Sequence, residues 1–154
     1  MNDPKQILVW RKDLRNTKGE KVRSGKVAAQ LAHASLGAIL NFGTIRENVS
    51  IGTEKQFSDN TASMYERVMI IPLDVDSPLD EWLSTRFTKV AVTVNSEEEL
   101  LEIYQKALDN NVNVTLIQDC GLTEFGNVPT YTCLALGPDL PEVLDPIARH
   151  LPLL

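Results

Sequence analysis

The stretch Ser24-Gly25-Lys26-Val27-Ala28-Ala29-Gln30-Leu31-Ala32-His33-Ala34-Ser35 follows a short apolar run and a very basic segment. At the helical step of about 100° per residue, Lys26, Gln30 and His33 share one narrow stripe. Val27, Leu31, Ala34 and Ala38 form a second stripe about a quarter-turn away. One helix thus offers an apolar seam to a core and, beside it, a cation, an amide and an imidazole. Ser24 is a good N-cap, which puts Lys26 in the first turn, where the helix dipole disfavours a cation. A lysine set against the local field calls for an anionic partner or ligand. The stripe reads as a site.

Outward from this helix, which is expected over about Gly25 to Phe42, the chain alternates strands and helices. Gln6 to Arg11 is a short apolar run flanked by charge, a buried strand. Residues 12–23 form a polar loop, longer than most connections and so functional or mobile. Residues 43–63 are rich in Gly, Asn, Ser and Thr with no period and read as a long loop, and Val68 to Leu73 as an extra strand or an extended segment ended by Pro72. Ser77-Pro78 with Asp80 and Glu81 starts a short helix carrying Leu79, Trp82 and Leu83 inward. Phe87 to Val94 alternates as a strand, and Ser96-Glu97-Glu98-Glu99 is a capping-box start for a helix burying Leu100, Ile103, Tyr104 and Ala107. Val112 to Gln118 and Tyr131 to Leu136 are two more strands. Pro141 to Arg149 is a last helix, disturbed or stopped around Pro146. Strands separated by helices predict a layered α/β domain with helices on both sheet faces.

The composition fits one soluble domain over residues 1–154, long enough for one sizeable core but hardly two. No run of about 18 apolar residues offers a membrane span, and the N-terminus lacks the pattern of a secretory signal. Two cysteines, Cys120 and Cys133, make no disulfide framework, which favours a reducing cytoplasm. Neither has His or Cys neighbours at metal-ligand spacing, so no metal is expected. The net charge of −6 hides a split: residues 1–26 hold eight Lys and Arg against three acids, and the remainder seven against eighteen. That asymmetry concentrates an anion-attracting field beside the Lys26 helix. A solvated basic loop without a partner explains the charge alone about as well; its position before Lys26 favours phosphate contact.

Gly25-Lys26-Val27-Ala28-Ala29-Gln30 continued by His33-Ala34 resembles the signature of the type II peptidyl-tRNA hydrolases. Ile7-Leu8-Val9 and Arg11-Lys12-Asp13-Leu14 resemble that family's first strand and following loop. Ile117-Gln118-Asp119-Cys120-Gly121-Leu122-Thr123-Glu124 is similar to its second signature, an Asp-Ala-Gly-x-Thr turn, and Leu136-Gly137-Pro138 to its closing strand. The resemblance covers most of residues 5–42 and 86–154. It implies a three-layer α/β/α sandwich with a mixed sheet of about four strands, no cofactor, and a homodimer. Cys120 replaces the usual Ala, and Leu122 and Glu124 stand where Arg and Gln are common. The run Gly121 to Phe125 with Val128-Pro129-Thr130 looks closer to a bacterial or viral branch. The segment from about Thr44 to Asp76 has no counterpart and reads as a loop insertion: a lid, a dimer contact or a specificity element.

Each residue alone has a plain explanation: a turn-capping aspartate, a packed histidine, a solvated lysine. Together, Lys26, His33, Asp119 and Thr123 occupy the positions that the resemblance assigns to catalysis of peptidyl-tRNA hydrolysis. That reaction needs an oriented water, a proton acceptor and oxyanion stabilisation. Asp119 or His33 would orient or deprotonate the water, or Asp119 would instead pair with Lys26 and fix it. Lys26 would offset negative charge or steer the terminal phosphate, and Thr123 would bond the ester or the water. Arg11, Lys12, Arg15, Lys18, Lys21, Arg23 and Gln30 are the expected tRNA contacts, with neither DNA nor membrane as partner. Two rivals stand beside this reading: a non-catalytic module that binds tRNA or a translation factor, and a hydrolase of another ester or amide.

Overall fold

The computed structural model describes residues 3–51 and 63–154. The residues up to Asn41 and those from Leu73 onward form one compact unit, and Phe42 to Pro72 a second. The larger unit is built from β1 (Lys5–Arg11), α1 (Ser24–Leu40), α2 (Pro78–Ser84), β4 (Lys89–Val94), α3 (Glu97–Asp109), β5 (Val114–Asp119), β6 (Thr130–Asp139) and α4 (Pro141–Ala148); β2 (Thr44–Ile51) and β3 (Ser63–Ile70) make the smaller.

Four strands form a mixed sheet in the order β4-β1-β6-β5. β1 and β4 are parallel, and β6 runs antiparallel to both β1 and β5. Three strands therefore point the same way and end at one edge, where Arg11, Val94 and Asp119 lie. The central strands are apolar on both faces because both faces are covered. Ile7, Val9, Leu134 and Leu136 pack with Leu100, Ile103, Leu144 and Ile147 of α3 and α4. The alternate residues Leu8, Trp10, Cys133 and Ala135 pack with Leu31, Ala34 and Ala38 of α1. These two cores give the three-layer α/β/α arrangement. Small residues let α1 lie close: a Cβ on Gly37 would stand 2.9 Å from Thr115 Cγ2 of β5. The outer edge of β4 is covered by the last residues, with Thr93 N–H donating to Pro152 O at 2.8 Å and Leu154 N–H to Ala91 O at 3.0 Å.

Most elements lie where the sequence puts them, and the differences have causes. α1 begins at Ser24, so Arg23 rather than Ser24 is its N-cap, and no side chain caps it; Lys26 stays in the first turn. The helix stops at Leu40, before Phe42. Pro146 lies inside α4 without ending it at that residue. At α3, Ser96 Oγ accepts from Glu99 N–H, while the Glu99 carboxylate reaches back past the cap to Asn95 N–H at 2.6 Å. The largest correction concerns the expected loop at 43–63. Thr44–Ile51 is a strand, antiparallel to Ser63–Ile70, with Ile45 opposite Met69 and Val49 opposite Tyr65. Polar residues mask the period, but Thr, Ile and Val suit a strand. β3 starts earlier than the expected Val68 and ends before Pro72, which has no N–H to give a ladder. The rest of that loop, residues 52–62, lies outside the described residues.

Candidate active site

Asp119 ends β5 at the edge where the parallel strands finish, the usual place for function in such sheets. Its carboxylate does two things at once. Oδ2 accepts from Gly121 N–H at 3.0 Å, capping its own turn. Oδ1 accepts from Lys26 Nζ at 2.7 Å and from Gln30 Nε2 at 3.2 Å. Lys26 Nζ also donates to Thr123 Oγ1 at 3.1 Å. The stripe on α1 thus faces the turn after β5, and the cation in the first turn has its anion. Only glycine suits position 121: its φ is +86°, and a Cβ would stand 2.3 Å from Val128 O. That tight return brings Thr123 back beside Lys26.

Behind Asp119 the polar groups continue inward. Gln30 is buried, and its Oε1 accepts from the Thr132 hydroxyl at 2.6 Å. Thr132 on β6 therefore fixes the amide that fixes Asp119. Cys133 Sγ donates to Gln30 O at 3.3 Å, and burial pushes its thiol pKa up to about 12, so it stays protonated. Asp119 itself is 9 % exposed. Burial alone would raise its pKa, but the Lys26 ammonium, the Gly121 N–H and the Gln30 amide outweigh it and hold the carboxyl below the usual range.

The structure brings together Lys26, Gln30, Asp119 and Thr123. It does not join His33 to them: the imidazole is exposed on α1 and takes no part in their hydrogen bonds. Two of the expected tRNA contacts are engaged inside the protein, and a third is tied to a buried carboxylate. Arg11 is buried, its guanidinium held by both Asp13 oxygens at 3.2 and 2.8 Å, by Glu97 at 2.7 Å and by Tyr131 O at 2.9 Å. Burial would lower its pKa, yet the two carboxylates raise it, and it ties the end of β1 to α3 and β6. Gln30 is the inward strut just described. Arg23, though its side chain is 76 % exposed, bonds Glu124, which is 3 % exposed. Lys12, Arg15, Lys18 and Lys21 remain on the surface. Their loop is structured: Asn16 Oδ1 accepts from Lys18 N–H and Glu20 N–H, both at 2.9 Å, and Arg15 donates to Lys12 O and Leu14 O.

Sequence reading missed Thr132, Glu97 and the internal role of Glu124. A threonine within an apolar strand was the one available signal for Thr132. Nothing local marks Glu97 or Glu124 as partners of arginines in distant elements. Among the described residues, no three His, Cys, Asp or Glu side chains gather so as to hold a metal ion.

Comparison with known proteins converges on one family. The family model described as Peptidyl-tRNA hydrolase PTH2 matches residues 4–154. A protein of Methanopyrus kandleri named peptidyl-tRNA hydrolase is 33% identical over 150 residues, 97% of each chain. One of the same name from Nanoarchaeum equitans is 33% identical over 149 residues, again 97% of each. That of Methanocaldococcus jannaschii is 34% identical over 110 residues, 71% of this chain and 95% of its own. A solved structure of a protein of unknown function from Agrobacterium tumefaciens str. C58 shares the fold, with a TM-score of 0.50 at 16% identity, covering 100% of this chain and 99% of that one. The two signatures that meet in space as Lys26–Asp119 and the match of residues 4–154 agree: the chain belongs to the Peptidyl-tRNA hydrolase PTH2 family.

Proposed function

We propose that this chain hydrolyses the ester between a peptide and the 3′ ribose of tRNA, freeing the tRNA for reuse. The observation that carries this reading is the ammonium of Lys26 held between Asp119 and Thr123 at 2.7 and 3.1 Å. An ammonium has three N–H donors. Two are taken, and the third is left for the oxygen that gains charge when water adds to the ester carbonyl. Since Thr123 Oγ1 accepts from Lys26, its own hydrogen is free to meet the ester or the water. Asp119 keeps a lone pair for an incoming water. Its lowered pKa keeps it charged and makes it an orienting group and modest proton acceptor. The tetrahedral intermediate then collapses, the bond from the carbonyl carbon to the ribose oxygen breaks, and that oxygen takes the proton which the water gave up to Asp119, so that an acid and a tRNA result.

The exposed cations Lys12, Arg15, Lys18 and Lys21 supply phosphate contacts along the approach. The rival reading of a pure binder has its best support in Leu122 and Glu124, which stand where Arg and Gln are common and so remove a cation and add an anion. That carboxylate is buried against Arg23, so it places no free negative charge on the approach. Within the family, the turn Gly121 to Phe125 with Val128-Pro129-Thr130 aligns the chain with a bacterial or viral-like branch. The relatives compared above are archaeal. We further assign it to the cytoplasm, with no DNA or membrane partner, as a homodimer of one domain bearing an insertion at about 44–76. No helix among the described residues is long and apolar enough to cross a membrane.

The test is hydrolysis of an N-blocked aminoacyl-tRNA by the purified chain. Release of tRNA that stops in Lys26→Met supports the reading. Tight tRNA binding without release favours the binder, and cleavage of simple esters with no preference for tRNA favours another hydrolase.

A further inference from the structure

A cleft of about 800 Å³ in the same unit as Lys26 and Asp119 is lined by neither of them. It opens on another face of the same helical turn. Ser24, Val27 and Leu31 of α1 line it, whereas Lys26 and Gln30 on the neighbouring stripe meet Asp119. Its interior is apolar, made by Trp10, Leu14, Val22, Val27 and Leu31. Its rim carries three cations from the loop before α1, Lys12, Arg15 and Lys21, and one anion, Asp13, whose carboxylate is already bonded to Arg11. A volume of this size suits a small organic group rather than a macromolecular surface. The contents of the lining decide which one.

We infer that this cleft takes the terminal nucleoside of the tRNA 3′ end, with its base against the apolar interior and its 5′-phosphate on the cationic rim. The inference rests on the proposed function and specifies where its substrate binds. A nucleotide joins a flat, weakly polar ring to an anion at a fixed distance, and the cleft joins an apolar floor to a cluster of cations. An apolar peptide side chain carries no anion and gains nothing from three cations at the rim. Ser24 and Asn95, also in the lining, supply polar groups for a base edge. Lys26 adjoins Val27 of the lining in the same turn of α1, so the 3′ ester of a nucleoside held there has the Lys26 stripe as its neighbouring face.

The experiment uses the full chain and adenosine 5′-monophosphate as probe, titrated directly and as a competitor of peptidyl-tRNA hydrolysis. Ala28 lines the cleft and is exposed, so Ala28→Phe puts a ring into it without disturbing the core. The expected result is that the nucleotide binds and competes, and that Ala28→Phe weakens it by about tenfold or more while KM rises and kcat holds. Lys12→Ala with Lys21→Ala should weaken the nucleotide more than adenosine. Nucleotide binding unaffected by Ala28→Phe overturns the inference. So does inorganic phosphate competing as well as the nucleotide, and so does a change confined to preference among peptide side chains. Nucleotide binding that Ala28→Phe abolishes, in a protein that hydrolyses no peptidyl-tRNA, keeps the cleft as a nucleotide site and removes the hydrolase reading instead. Hydrolysis in a protein that binds no nucleotide does the reverse.

Discussion

Lys26 and Asp119 are 93 positions apart in the chain, yet Nζ and Oδ1 lie 2.7 Å from each other. The contact joins the first turn of α1 to the end of β5 and helps to hold the Asp119 carboxyl below its usual range. Asp119 is the more enclosed partner and is held by three donors, so the ammonium is aimed rather than free. Asp119→Asn keeps the shape but removes the charge that aims Lys26 and the basicity offered to water. Its kcat should fall by about a hundredfold or more, with KM little changed. Steady-state kinetics on peptidyl-tRNA check this; near-normal turnover in a folded variant contradicts it.

The same carboxylate should leave a mark on acid stability. Its folded pKa is depressed, so its contribution is fully present above the unfolded carboxyl value of about 4 and is lost as pH falls through the lower folded value. Melting temperature followed downward from neutrality should therefore drop in that acid window. Asp119→Asn should be less stable at neutral pH and should lose less on acidification. Parallel curves for the two proteins contradict a depressed Asp119.

Phosphate contact by the loop before α1 predicts a steep salt dependence of substrate affinity. Each of Lys18→Ala and Lys21→Ala should reduce the slope of log affinity against log salt by about 0.7 to 0.9 if its amine meets one phosphate. Arg11 should behave differently, since its guanidinium is spent on Asp13, Glu97 and Tyr131 O. Arg11→Ala should lower the melting temperature and leave the slope nearly as it was. An unchanged slope in the double lysine variant marks the loop as solvated surface only.

Glu124 is buried and Arg23 covers it from the solvent side. Arg23→Ala leaves that carboxylate without its cation and should destabilise the fold by about 1–3 kcal/mol. Arg23→Ala combined with Glu124→Gln should recover part of the loss, because the buried charge is then gone. Denaturant unfolding of the three proteins checks it; equal stability of the single variant and the parent contradicts the pairing.

The parts of the molecule legible in the sequence are those with a local cause. The apolar stripe of α1, the cap at Ser96 and the Pro78 helix start each declare themselves within a few residues, and each forms. The stripe of Lys26 and Gln30 was legible as a site for the same reason, since helical spacing puts both on one side. What was hidden depends on strand order. Periodicity gives no neighbour for β1 or β6, and so could not show that Glu97 meets Arg11, that Thr132 meets Gln30, or that Glu124 meets Arg23. His33 shares the helical stripe yet takes no part in the hydrogen bonds, because a shared face does not guarantee a shared partner. The paired strands at 44–51 and 63–70 escaped because they alternate poorly and carry charge on exposed positions.

Lys26 and Asp119 should act as one unit on the ester, and a double-mutant cycle in kcat shows whether they do. Parent, Lys26→Met, Asp119→Asn and the double variant are compared on the same N-blocked aminoacyl-tRNA, with folding checked by circular dichroism. If the pair works as a unit, each single change removes most of the catalysis, and the double variant is no worse than the poorer single one. Losses that multiply in the double variant would contradict the account, because they would mean that the two residues act on the reaction separately.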